Sequence, residues 1–248
     1  MHLYRQKGFT LLELSMVLLI TTLFLTTTLA PLGSGGDGKR RARVTVELEQ
    51  IREAMLGFVM INGYLPCPAT ETDPADDKYG IEADKCNNDS STEGYLPWRT
   101  LGVKATDPWG LSRSAATDPF DGYWRYRVDR KFSDSMDMFD LDTDQEENIV
   151  IVNNDGNLLT SAEERPVAVI YSTGSNLTQD GENATYETKD CGNADGYDPN
   201  TSTCSDGDAL YQSGSPTGVG TDAAYDDILI WISRPLLFNR MVTVGRLP

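Results

Sequence analysis

From Leu14 to Leu32 the chain carries no charged side chain, and that length is about what an α-helix needs to cross roughly 30 Å of hydrocarbon. No other stretch of the 248 residues constrains the fold as strongly. The only charge near the start of the run is Glu13. An acid inside a membrane costs on the order of 2.5–3.5 kcal/mol on insertion scales, so a lone carboxylate there calls for a partner. The run therefore predicts a membrane-spanning helix with an acid at its leading end, and a globular remainder behind it.

The order Lys7-Gly8-Phe9-Thr10-Leu11-Leu12-Glu13-Leu14 resembles the leader junction of type IV pilins and type II secretion pseudopilins. In that family a membrane-embedded aspartyl protease, the prepilin peptidase, cuts after the glycine and methylates the new N-terminal amine. The resemblance implies a leader over 1–8, cleavage after Gly8, N-methylation of Phe9 and a transmembrane assembly helix over 9–32. Glu13 then stands at the fifth mature residue, the family's acidic position, and 33–248 form a periplasmic or extracellular domain. A secretory signal peptide also begins basic and continues apolar. The run here is too long for one, and Thr27-Thr28-Leu29-Ala30-Pro31 is a poor small-residue cleavage site.

Charge narrows the partners. The chain has 38 acidic and 21 basic residues, a formal charge of −17, and loss of Arg5 and Lys7 with the leader takes it to −19. Such a surface repels phosphate backbones, so no nucleic acid is expected as a partner. The local patch Lys39-Arg40-Arg41-Ala42-Arg43 reads as the basic flank of a span at lipid headgroups. The positive-inside rule would put that patch in the cytoplasm; the leader resemblance instead places the C-terminal bulk outside. The one histidine is His2, inside the predicted leader. Its loss removes Ser-His-Asp and Cys-His nucleophilic sites and histidine-ligated zinc from the mature chain. Carboxylate-only chemistry survives that exclusion.

Cys67, Cys86, Cys191 and Cys204 form an even set with no C-x-x-C spacing, which in an oxidising compartment reads as two disulfides with three possible connectivities. Pairing Cys67–Cys86 and Cys191–Cys204 is favoured, because each pair brackets one polar loop. A four-cysteine zinc site is the alternative, against the usual short ligand spacings.

Along the chain, the glycines of Gly33-Ser34-Gly35-Gly36-Asp37-Gly38 predict that the helix loosens or breaks. The helix resumes to about Asn62, since Val44, Leu48, Ile51, Met55 and Phe58 form one stripe of period near 3.6. Gly63 and the prolines of Leu65-Pro66-Cys67-Pro68 end it. Strands are expected over 123–128, 148–152, 166–172 and 227–233, rich in β-branched and aromatic residues, and a short helix over 235–246. Together these predict an α+β fold in which a long N-terminal helix, membrane-spanning then amphipathic, packs on an antiparallel β-sheet, as in pilins. Leu65-Pro66-Cys67-Pro68-Ala69, Leu96-Pro97-Trp98-Arg99-Thr100-Leu101-Gly102, Asp107-Pro108-Trp109-Gly110 and Asp226-Asp227-Ile228-Leu229-Ile230-Trp231 resemble a pilin-like subfamily with no assigned task. Asp107-Pro108-Trp109-Gly110 also resembles the major pseudopilins.

Asp140-Leu141-Asp142-Thr143-Asp144 opens like an EF-hand loop, but Gln145 replaces the turn glycine and Ile151 the bidentate acid, so it reads as a solvated loop. No cofactor is required. Calcium is the one candidate, because the resemblance to major pseudopilins implies a site built from carbonyls of 169–174 and the carboxylates of Asp226 and Asp227. The intervening loop is far longer here, and a Cys191–Cys204 staple would do the same stabilising work. The resulting expectation is a structural, minor pilin-like subunit and not an enzyme. It is inserted in the bacterial inner membrane, processed by prepilin peptidase, and assembled with other pilin or pseudopilin subunits into a periplasmic fibre or extracellular pilus. The alternatives are a type II secretion pseudopilin, a fibre-tip adhesin using the acidic loops 70–93 and 178–222, and a membrane-tethered carboxylate hydrolase.

Overall fold

The computed structural model describes residues 11–71, 73–86, 93–110, 122–146, 149–175, 183, 197–198, 203–204, 210–217 and 225–247, without the side chains of 23–37, 197–198 and 203–204. The chain divides into two compact units, Met1–Arg40 and Arg41–Pro248. The first element is helix α1, Leu11–Asn62. It is continuous through 33–38, where the glycines predict that the helix loosens or breaks. Each interior glycine costs about 1 kcal/mol relative to alanine. The turns on either side already supply the costly nucleus, however, so the intervening residues need only propagate it.

In the second unit the apolar stripe of α1 is buried as its period requires. Val44, Leu48, Ile51 and Met55 are inaccessible, Leu56 and Val59 widen the stripe, and Phe58 is half-buried with its ring edge-on to Tyr64 at 5.5 Å. The opposite face carries the ion pairs Arg43–Glu47 at 3.1 Å and Glu49–Arg52. The helix ends where Gly63 turns left-handed at φ 88° and its N–H reaches the carbonyl of Val59, a C-terminal cap for which glycine is suited. The Arg246 guanidinium donates to the carbonyls of Met60 and Ile61, which satisfies oxygens that a helix end leaves without partners.

The main sheet runs β1 (Glu93–Tyr95), β2 (Arg125–Val128), β4 (Pro166–Ser172), β8 (Ile228–Ser233), all neighbours antiparallel. A short helix, α2 (Trp98–Leu101), follows β1, and α3 (Arg234–Thr243) follows β8. One face of the sheet presents Tyr126, Val128, Ala168, Ile170, Ile230 and Ile232 to the core that holds α1. The register shifts between Pro166 and Ala168, and Val167 joins Ala168 in that core. An extra residue of this kind interrupts strict alternation. Leu237 and Met241 of α3 enter the same core.

The other face is covered as well. Strands β3 (Val150–Val152) and β7 (Leu210–Gln212) pair in parallel as a separate ladder, whose Ile151 and Tyr211, with Ile149, pack on Val169, Tyr171 and Leu229. The sequence placed 148–152 in the antiparallel sheet; the structure corrects this, because residues 150–152 pair with a three-residue strand from the long C-terminal excursion. A further pair, β5 (Tyr197–Asp198) with β6 (Thr203–Cys204), is antiparallel. Polar groups enter the second layer as a set. Arg127 Nη1 lies 3.4 Å from Glu93 Oε2, and the Tyr211 hydroxyl donates to the same oxygen at 3.2 Å. Burial raises the Glu93 pKa, opposed by the charges of Arg127 and Arg125.

Cys67 and Cys86 are joined by a disulfide, as the loop they bracket suggested. The loop is tied elsewhere too: Arg99 of α2 donates to the carbonyls of Asp77 and Tyr79. Gly80, at φ 75°, lies against the Trp98 ring, where a Cβ would sit 2.3 Å from ring carbon.

Two outcomes follow from these contacts. Cys67→Ala with Cys86→Ala is expected to lower unfolding free energy by about 3 kcal/mol, the loop-entropy value for a ring of this size, measured by urea titration with and without reductant. Glu93, its folded pKa raised, contributes stability that is fully present below the ordinary glutamate pKa and is lost as pH rises through the raised value. Stability measured across a pH series should therefore fall with rising pH in that window, and Glu93→Gln should flatten the fall.

Candidate functional site

From Leu11 to Ile20 the apolar side chains of α1 are exposed. Leu11, Leu12, Leu14 and every residue of Met16–Ile20 are at least 50% exposed, with Leu11 at 87%. Hydroxyls in this stretch are turned back on the helix: Ser15 donates to the Leu12 carbonyl, and Thr21 and Thr22 to carbonyls one turn earlier. Such side chains offer an apolar environment little unmet polarity, the requirement that lipid or a dry helix interface imposes. Glu13 sits in the first turn, on the exposed surface. Gly8 and Phe9 lie outside the described residues. Among the described residues no helix is long and apolar enough to cross a membrane.

The aspartates expected to ligate calcium lie at the neck of the excursion that leaves β4 and returns to β8. Asp226 Oδ2 accepts from the Ser175 backbone N–H at 2.7 Å and from the Ser175 hydroxyl, and lies 3.4 Å from Arg41 Nη2. Gly174 allows the approach: at φ 67°, a Cβ there would stand 2.4 Å from Asp226 Oδ1. Asp227 Oδ2 accepts from Asn183 Nδ2 at 2.8 Å. Asn183 Oδ1 in turn takes the Gln212 N–H at 2.8 Å, tying the neck to β7. Asp107 closes the group. Its Oδ1 accepts from the N–H groups of Trp109 and Gly110, and its Oδ2 from the Ser172 hydroxyl, so the Asp-Pro-Trp-Gly turn is fastened to the end of β4.

Among the described residues this donor set does not fit a calcium ion. Calcium needs six to eight oxygens, whereas the carboxylate of Asp226 is turned toward N–H and O–H donors with a guanidinium beside it. Among the described residues no group of three or more His, Cys, Asp or Glu is arranged to hold a metal. The Asp140 loop is held by its own turn, with Asp140 Oδ1 accepting from the Asp142 N–H and the Thr143 hydroxyl. Burial raises the pKa values of Asp107 and Glu82. Asp107 is the better bonded of the two, and its partners are the turn and strand just named. Of the Cys191–Cys204 pairing, Cys191 lies outside the described residues and Cys204 is described without its side chain. Sequence reading missed Arg41, Ser175 and Asn183. Arg41 is one of four basic residues in a row of five, and nothing in that row marks which one turns inward.

The prokaryotic N-terminal methylation motif matches residues 3–29. No curated protein and no solved structure matches the chain. The matched segment holds Lys7 to Leu14 and the exposed apolar residues up to Ile20, so the motif and the uncovered helix surface coincide. The chain carries the N-terminal signal of the type IV pilin and pseudopilin family.

Proposed function

We propose that this chain is a minor, structural subunit of a type IV pilus-type fibre. The observation that carries the reading is the coincidence of the methylation motif over 3–29 with a helix whose apolar side chains from Leu11 to Ile20 are exposed. That surface needs an apolar covering: lipid before assembly and the N-terminal helices of other subunits afterwards. In this reading the prepilin peptidase cuts after Gly8 and methylates Phe9. The chain sits in the inner membrane through 9–32 with its C-terminal domain in the periplasm. It then passes into a periplasmic fibre or an extracellular pilus. The role is packing and not catalysis.

Glu13 supplies register. The amine of Phe9 in one subunit is a cation in apolar surroundings and the Glu13 carboxylate of a neighbour an anion; bringing them together offsets both desolvation costs. A bare apolar cylinder can slide along its neighbours, whereas one ion pair per subunit fixes its height.

Mass spectrometry of the protein from native membranes should show a chain beginning at N-methyl-Phe9, and Gly8→Leu should leave the leader attached; an intact Met1 start in assembled fibres would overturn the reading. Glu13→Ala should be inserted and cleaved as wild type yet be depleted from sheared fibres by tenfold or more, if the pair contributes about 1.4 kcal/mol or more, a tenfold step in any equilibrium. Full incorporation of that variant would remove the pairing.

A further inference from the structure

The neck of the C-terminal excursion contains a cation already. Asp226 is buried, and burying a polar group is costly unless it is hydrogen-bonded or paired. Ser175 supplies two donors from the outgoing end of the excursion, which join Ser175 and Asp226 across the fifty residues between them. The charge is met from α1: Arg41 Nη2 stands 3.4 Å from Oδ2, with 23% of its side chain exposed against 6% for the acid. The Arg41 guanidinium also lies 6.0 Å from the centre of the Trp109 ring, within reach of the ring's negative face. Trp109 belongs to the turn that Asp107 fastens to Ser172. Arg41 thus pairs with the acid of the neck and lies near the ring of the turn beside it.

We propose that Arg41 is the resident cation of this neck, a positioning residue that holds Asp226 against Ser175 without a metal ion. A guanidinium suits the place better than an ammonium would, because its planar fork can serve an acid while its face lies on an aromatic ring. A divalent ion placed on Asp226 would meet the guanidinium at close range and be repelled. The inference does not depend on the chain being a fibre subunit, since every residue in it belongs to the unit Arg41–Pro248.

The test uses the full chain in detergent. Arg41→Gln, Arg41→Lys, Asp226→Asn and the double variant Arg41→Gln/Asp226→Asn are compared for thermal midpoint and for the rate at which chymotrypsin cuts within 176–225, sites being read by mass spectrometry. Proteolysis reports the population of the open neck. Arg41→Gln is expected to lower the midpoint by about 2–4 °C or more and to raise cutting in 176–225 severalfold. Arg41→Lys, which keeps the charge but loses the fork and the ring contact, should recover part of both. On the Asp226→Asn background Arg41→Gln should add nothing. The wild-type midpoint should be the same in millimolar calcium and in chelator. If Arg41→Gln matches wild type in both measurements, or Arg41→Lys behaves as Arg41→Gln, or wild type gains stability from calcium by mass action, the assignment is wrong.

Discussion

Strand β4 is buried along its whole length, all seven residues of Pro166–Ser172, and the rest of the second unit answers that condition. A strand with water on neither face needs apolar cover on both. Helix α1 and α3 supply one cover; β3, β7 and their neighbours supply the other. The side chains that alternate along β4 go to different cores, Ala168 and Ile170 to the first and Val169 and Tyr171 to the second. A register slip of one residue would exchange the two sets. The residues of β8 divide in the same way, Ile230 and Ile232 from Leu229, so the two central strands enforce each other's alignment.

How much of this could be read in advance depended on how local the signal was. The stripe from Val44 to Phe58 is legible because helical period and burial coincide. Pro166–Ser172 is legible because a short, continuously apolar run flanked by polar residues suits a strand covered on both faces. The second layer is not legible. Leu210–Gln212 is three residues inside a Gly- and Asp-rich stretch, and its partner Val150–Val152 lies some sixty positions away, so neither sequence announces the other. At Gly33–Gly38 residue propensity points to a loosened or broken helix, whereas the cooperativity of the flanking turns carries the helix through.

The neck shows a different limit. Two adjacent aspartates before a strand have the right chemistry for a metal, and a sequence gives ligand types without giving their partners. The partners here come from far away: Arg41 from α1, Asn183 from the excursion, Ser175 from the turn after β4. Buried polar groups elsewhere follow the same pattern, as Glu93 meets Arg127 on the next strand and Tyr211 from the second layer. These contacts do not have to add much stability to matter. Each leaves a costly orphan if one member is misplaced, which penalises wrong arrangements of segments that hydrophobic cover alone would tolerate.

The hydroxyls of Ser15, Thr21 and Thr22 fold back onto carbonyls of their own helix. As a result, this stretch keeps its hydrogen bonds whatever lies next to it. Hydrocarbon chains and the flank of another apolar helix offer it nearly the same thing, dispersion contact and no water. Changing one for the other is then close to a swap of like for like, with a shallow free-energy slope in either direction. A surface so indifferent to its neighbour can be moved by small forces, and the direction of movement must be set by something outside that surface.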